Sequence, residues 1–359
     1  MKNEMFLAIL YLLFYNYETY QRIRLNIQID ILENEILDKY PDVLDVLLRD
    51  HTTQHNILWA TNNYSDSGKS YNYKSEISPD SITGHNGNII MPRVQKDKIL
   101  QQSRARNMAE VFTPSWICNA QNNLIDNSWF EKQKVFNKEI ELDNGSWVWE
   151  VNPRKVTFPK NKTWKDYVRD KRLEVACGEA PYITSRYDTT TGEFIPVNER
   201  IGILDRKLRV INENVNTSGE WLKAAQIAFM STYAYEWQGD NLLLAREAML
   251  FTFIENYRLK FGKEPLLKSI KYIAYIISWN VWQMDGIKGV IPDSCKTIHT
   301  SNELFFGIEE VKSFPCAGCQ KDNIKKHNGI YCIVKDWSNK DKATGRKGKK
   351  IRFIDLLNN

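Results

Sequence analysis

Leu173-Glu174-Val175-Ala176-Cys177-Gly178-Glu179-Ala180-Pro181-Tyr182 reads as an apolar strand carrying an acid and turning tightly through Ala-Cys-Gly. A parallel strand followed by a glycine turn sets a bound nucleoside at the carboxyl end of the strand, beside the next helix N-terminus. Gly178 lets the backbone approach such a ligand, and Glu174 can meet a positive group or a hydroxyl. One strand and one glycine occur in any α/β protein, so an ordinary strand-turn is the competing reading. The flanking segments decide between them.

Downstream, Tyr233-Ala234-Tyr235-Glu236-Trp237 is a short apolar strand ending in an acid, followed by a helix that includes Leu243-Leu244-Ala245-Arg246. A carboxylate there accepts two hydrogen bonds from ribose hydroxyls, a geometry that rejects phosphorylated ribose. Ile277 to Gly286 predicts another strand ending in an acid, Asp285, which can accept the exocyclic amine of adenine. About sixty residues upstream of the glycine turn stands Ala109-Glu110-Val111-Phe112-Thr113-Pro114. Strand-end acids in series suit a nucleoside crevice, although each alone is more often a surface cap.

Taken in order, these segments resemble the cofactor-binding half of the gamma-class adenine-N6 DNA methyltransferases of restriction–modification systems, over roughly residues 92 to 290. The resemblance implies a Rossmann-like α/β fold that binds S-adenosylmethionine. Phe112, Thr113 and Pro114 then inherit the turn that packs on the methionine part of the cofactor. Glu174, Ala176, Cys177 and Gly178 fall on the family's Asp-Pro-Ala-Cys-Gly-Ser-Gly turn, with Glu in place of Asp at 174 and Ala180 in place of the second Gly. Glu236 takes the ribose and Asp285 the adenine. The span from Glu174 to Glu236 is about three times the ~20 residues of a plain nucleotide-binding unit, which implies an insertion holding two helices.

The family holds a flipped adenine with an Asn/Asp-Pro-Pro-Tyr/Phe tetrapeptide. The sequence contains none; Val290-Ile291-Pro292-Asp293 has one Pro and no aromatic residue. No catalytic residue is therefore assigned. The expected function is methyl transfer to adenine N6 in double-stranded DNA, or the cofactor-binding part of it. A second polypeptide would then carry the tetrapeptide and target recognition. The alternative is a non-catalytic DNA-binding or partner subunit of a restriction–modification system, working beside a restriction endonuclease.

The remaining sequence frames this reading. With 359 residues, 42% of them hydrophobic, the chain can bury a large core. A net charge of +5 permits nucleic-acid binding without demanding it. Three regions are expected: helical and irregular (1–91), methyltransferase-like (92–294), and a basic, cysteine-bearing appendage (295–359). Met5 to Tyr15 is apolar but about half the ~20 residues that span a bilayer, and no small-residue cleavage site follows. The chain thus reads as cytoplasmic, with no membrane partner.

Helical spacing runs from Asn26 to Leu48, and a strand is expected at Asn56 to Ala60, before a polar loop reaching about Asn88. Residues 92 to 108 predict a basic helix whose Arg93, Lys96, Lys98, Arg104 and Arg106 form either a phosphate-contacting or a plain solvated face. Two amphipathic helices are expected between Ile201 and Met230, a strand at Thr232 to Glu236, a helix at Asn241 to Lys260 and another near Pro265 to Tyr275. A strand at Ile276 to Trp282 follows. Lys335 to Lys350 reads as a Lys-rich loop able to touch DNA backbone, ahead of a strand at Ile351 to Leu357.

Cys295, Cys316, Cys319 and Cys332 form the second constellation. The Cys316-Ala-Gly-Cys319 knuckle suits a tetrahedral structural zinc, with His327 or His299 able to replace one thiolate. The competing reading is a set of reduced, partly buried cysteines.

Overall fold

The computed structural model describes residue 30 and residues 33–304, 308–341, 345 and 347–357. The apolar segment Met5 to Tyr15, the start of the first expected helix, and Lys342 and Arg346 of the basic tail lie outside them. Among the described residues no helix is long and apolar enough to cross a membrane.

The helices, in chain order, are α1 (Glu33–Lys39), α2 (Val43–Leu48), α3 (Pro79–Ile82), α4 (Lys98–Met108), α5 (Ser115–Phe130) and α6 (Trp164–Arg169). They continue with α7 (Ile203–Asn214), α8 (Ser218–Met230), α9 (Gly239–Phe261), α10 (Leu267–Asn280), α11 (Ala317–Lys321) and α12 (Phe353–Leu356). Three strands form a parallel sheet in the order β3 (Arg172–Glu174), β4 (Thr232–Glu236) and β5 (Val281–Gln283). Three antiparallel pairs stand apart from it: β1 (Asn137–Glu141) with β2 (Trp147–Val151), β6 (Ile298–Leu304) with β7 (Ile308–Phe314), and β8 (Ile333–Lys340) with β9 (Lys347–Arg352). The architecture is mixed α/β, a small parallel sheet among helices with a cysteine cluster towards the C-terminus.

The strands of the parallel sheet are short, and β4 and β5 are largely buried while β3, at the edge, leaves Leu173 exposed. Leu173 pairs with Tyr233, and Ala234 with Val281. Ala234 and Val281 face the helices and join the main core. Tyr235 and Trp282 face the other way and pack with Val334, Phe353 and Cys332 from the C-terminal hairpin. α9 is buried on almost every side along its first three turns, with Asp240, Asn241, Arg246 and Glu247 buried among its apolar residues. Its start is fixed by a close approach: a Cβ on Gly239 would stand 2.0 Å from the Leu58 carbonyl oxygen.

β4 and helices α7, α8 and α9 fall where the sequence places them. Other expectations need correction. Ile276 to Asn280 continues α10 rather than forming a strand, because Ile270, Ile273, Ala274 and Ile277 keep the 3–4 spacing of its buried face. The strand is only Val281–Gln283. Asn56 to Ala60 is extended but makes isolated bridges only. The Gln283 amide takes the place of a strand partner there, accepting from the Leu58 N–H and donating to the Leu58 C=O, each at 2.8 Å.

Lys335 to Lys350 is largely the β8–β9 hairpin rather than a loop, and Phe353–Leu356 is helical rather than extended. Lys335 is buried with its ammonium 4.6–4.8 Å from the rings of Trp279, Tyr275 and Trp337, so this charge is spent on structure. Nor do the boundaries near 91 and 294 separate cores. Ile36, Leu44, Trp59 and Ile82 share one apolar cluster with Leu204, Phe229 and Leu250.

Candidate functional site

A cavity of about 350 Å³ opens at the carboxyl ends of β3 and β4. Four segments distant in sequence meet there: residues 108–113, Asn122 and Ile125 of α5, residues 173–182 with Ile203, and Glu236, Gln238 and Asn241 at the entry to α9. The turn after β3 is built from alternating left-handed residues, Ala176 (φ 49°), Gly178 (φ 54°) and Ala180 (φ 58°). This coils the main chain back under the strand end. The left-handed φ favours glycine at 178, and the Phe112 ring packs beside it, 3.7 Å from where a Cβ would stand.

Glu236 ties the two strand ends together, its carboxylate accepting from the Gly178 N–H at 2.8 Å and the Gln238 N–H at 3.1 Å. Burial still pushes its carboxyl above the usual range. Glu174 is less well served. One oxygen meets the Tyr182 N–H at 3.5 Å and the other, Oε2, is buried with no partner. Burial pushes its carboxyl up to about 8, and the nearby Glu236 adds to the rise. Two more lining oxygens share this unpartnered state among the described residues, Asn122 Oδ1 and Gln238 Oε1, while Glu110 Oε1 has only the Arg93 guanidinium, at 3.9 Å. The amide orientations follow from their other ends, since Asn122 Nδ2 donates to the carbonyls of Tyr182 and Ile201, and Gln238 Nε2 to Glu110.

Behind the cavity wall runs a buried ionic network. Asp240 accepts from Tyr64 Oη at 2.7 Å and pairs with Arg104 at 2.8 Å and Lys96 at 3.3 Å. Arg104 also pairs with Glu110 at 2.6 Å, and Asn241 donates to the same carboxylate at 3.1 Å. Two of the basic residues around α4 therefore point inward and anchor α9 to residues 104–110. They present neither a phosphate-binding nor a solvated face.

Of the residues picked from the sequence, Phe112, Thr113, Glu174, Ala176, Cys177, Gly178 and Glu236 line the cavity. Pro114 instead caps the start of α5. Asp285 is not among the lining residues. Its carboxylate accepts from the main-chain N–H groups of Ile287 and Lys288 and pairs with the Lys288 ammonium at 3.0 Å, closing the turn after β5. An acid so fully engaged holds a loop, and the adenine role expected of it has no support in this geometry. Sequence reading missed Asn122, Gln238 and Asn241. Asn122 had a signal: Asn119, Asn122 and Asp126 form a buried polar stripe on one face of α5, where an amphipathic helix should be apolar.

The cysteine cluster sits on the segment that follows β5. Cys295, Cys316, Cys319 and His327 bring their ligand atoms within 4.8 Å of one another, and each sulfur lies 3.6 Å from His327 Nδ1. This set can hold a metal ion. Gly318 is required inside the knuckle, because a Cβ there would stand 2.6 Å from the His327 main-chain nitrogen. Cys332, expected as the fourth ligand, is wholly buried against the sheet and donates to the Gln283 carbonyl. His327 takes its place. His299 lies outside the set, hydrogen-bonded to Ser313.

No protein-family model, no curated protein and no solved structure matches this chain.

Proposed function

We propose that the cavity binds S-adenosylmethionine and that the chain is the cofactor-binding part of a DNA adenine-N6 methyltransferase of the restriction–modification type. The observation that carries this reading is the convergence of Phe112, Gly178 and Glu236, from three separate segments, on one cavity at the ends of adjacent parallel strands. Three parallel strands lying side by side in sequence order also match one half of a doubly wound, Rossmann-like sheet, where ligands bind beyond the carboxyl ends. In this site Phe112 would pack on the ligand beside the glycine turn. Glu236 would exchange a main-chain hydrogen bond for a ribose hydroxyl, the unpaired oxygens of Asn122 and Gln238 would accept from amino groups, and Glu174 would face the sulfonium. The cofactor supplies the methyl group; the chain's residues bind and orient it.

A second polypeptide completing the enzyme is favoured by the outer edge of β3. Arg172 donates to Ser231 on the β4 side, so the alternating main-chain groups of Leu173 and Val175 face away from β4. Both side chains are exposed, as are Val111 and Ile125 at the same rim. A strand added there would occupy the position of the other half of such a sheet. Double-stranded DNA would meet the exposed lysines of β9 (Lys347, Lys349).

The metal cluster is read as structural zinc. Tetrahedral Zn–S and Zn–N bonds of about 2.3 and 2.0–2.1 Å place sulfur and nitrogen about 3.6 Å apart, the separation seen for all three thiols.

Calorimetric titration with S-adenosylmethionine tests the cofactor reading. The wild-type chain should bind, and Glu236→Ala should weaken binding at least ~10-fold, the cost of losing a charge-assisted hydrogen bond. No binding, or binding indifferent to the variant, overturns the assignment.

A further inference from the structure

The cavity is one-sided in charge. Glu110, Glu174 and Glu236 contribute carboxyl groups, and no lysine, arginine or histidine lines it. Two of these acids are compensated from behind: Glu110 by Arg104 and Arg93, and Glu236 by two main-chain N–H groups. Glu174 is not. The groups around it are Cys118 and Asn122 from α5, Cys177, Tyr182 and the Ile183 N–H from the glycine turn, and Glu236 from β4. None of them is basic.

We propose that the cavity exchanges a proton for a cation: Glu174 is protonated in the free protein and releases its proton to solvent when a positively charged, hydrogen-bond-donating nucleoside enters. The inference rests on the cofactor reading above and sharpens it. Glu174 becomes the specificity-determining residue that distinguishes the sulfonium form of the cofactor from the neutral thioether left after methyl transfer. The exchange balances, since a neutral carboxyl and a cation become a carboxylate–cation pair and one proton in solution. The net charge of the cavity stays constant, so a buried site avoids holding an unpaired ion. A neutral thioether offers no counter-charge at the sulfur position and leaves the proton in place.

The geometry agrees with this role. Glu174 Oε2 is buried and unpaired among the described residues, as are the side-chain oxygens of Asn122 and Gln238, which line the same cavity. These are three acceptors with no donor of the protein's own. Burial without a basic neighbour holds the Glu174 carboxyl at about 8, so it is mostly protonated at neutral pH. The sign follows: cation binding releases a proton, so cation affinity rises with pH up to that value and then levels off.

The test is calorimetry with S-adenosylmethionine and S-adenosylhomocysteine from pH 6 to 8.5. Both carry an amino group, more acidic in the sulfonium, so the ratio of their affinities is read against the same ratio in Glu174→Gln, which keeps that titration. The wild-type ratio should rise by up to about tenfold per pH unit below pH 8 and flatten above it. Buffers of different ionisation heat should report close to one proton released for the sulfonium and none for the thioether. This second readout needs no variant. Glu174→Gln, checked for its native melting transition, should abolish the rise and leave only the ligands' own titration. Both ligands binding with a flat ratio in the wild type, or an unchanged slope in Glu174→Gln, overturns the inference and leaves the cofactor reading standing. Binding of neither overturns both.

Discussion

Replacing Asp240 with alanine is expected to lower the free energy of unfolding by about 3–5 kcal/mol, the cost of breaking a buried ion pair from one side. Asp240 is completely buried and is the common partner of Arg104, Lys96 and Tyr64. Without it, the Lys96 ammonium keeps no carboxylate at ion-pair distance among the described residues, and Arg104 keeps only Glu110. The change should appear as a lower urea midpoint with an unchanged slope. A loss below about 1 kcal/mol would show that the network contributes little. Burial raises the Asp240 carboxyl, but the attraction of Arg104 and then Lys96 outweighs it and holds the group well below the usual carboxylate range. A depressed folded pKa gives stability that is present above the unfolded value, near 3.8, and lost only as pH falls further. The difference between wild type and variant should therefore be constant from pH 5 to 8 and shrink in stronger acid. Because Asn241 and Gln238 flank Asp240, the variant should also weaken ligand binding at the cavity.

Stripping the metal is expected to have an effect of similar size. The purified chain should carry one zinc, and chelation should destabilise it by more than ~3 kcal/mol, since binding energy at a structural site is folding energy. The effect should be local at first. The metal-bearing segment is stitched to the end of β5 through Ile291 to Ile330 and Cys332 to Gly289, so residues 289–332 should become protease-sensitive before the sheet opens. Cys319→Ser should reproduce the loss. Cys332→Ser should keep full metal content, because that thiol donates to Gln283 and stands apart from the cluster. A metal-free wild type, or a Cys332→Ser protein without metal, would contradict the site.

What the sequence made legible followed local rules. The strand Thr232–Glu236 and the two helices before it carry their own periodicity and turn residues, and the Cys316–Cys319 knuckle is a spacing of three. The rest depended on distant partners. Ile276, Ile277 and Trp279 make the run to Asn280 largely apolar, and such a run suits a buried helix end as well as a buried strand. Only packing against α8 and α2 decides between them. Arg104 looks like a surface charge until Asp240, 136 residues away, is folded against it. The choice of His327 over Cys332 was likewise closed to spacing, because it depends on which of two neighbouring residues turns towards the sheet. At the cavity, Phe112, Gly178 and Glu236 were legible because strand ends and glycine turns have sequence signatures. Asp285 has the same signature and a different duty, since a strand-end acid can equally close its own turn.

The most direct test is a crystal structure of the chain grown with S-adenosylmethionine. The account predicts the nucleoside in the cavity between residues 110–113 and the end of β4, its ribose hydroxyls on Glu236 and its sulfonium side towards Glu174. A ligand bound elsewhere, or an unfilled cavity at saturating concentration, would contradict it.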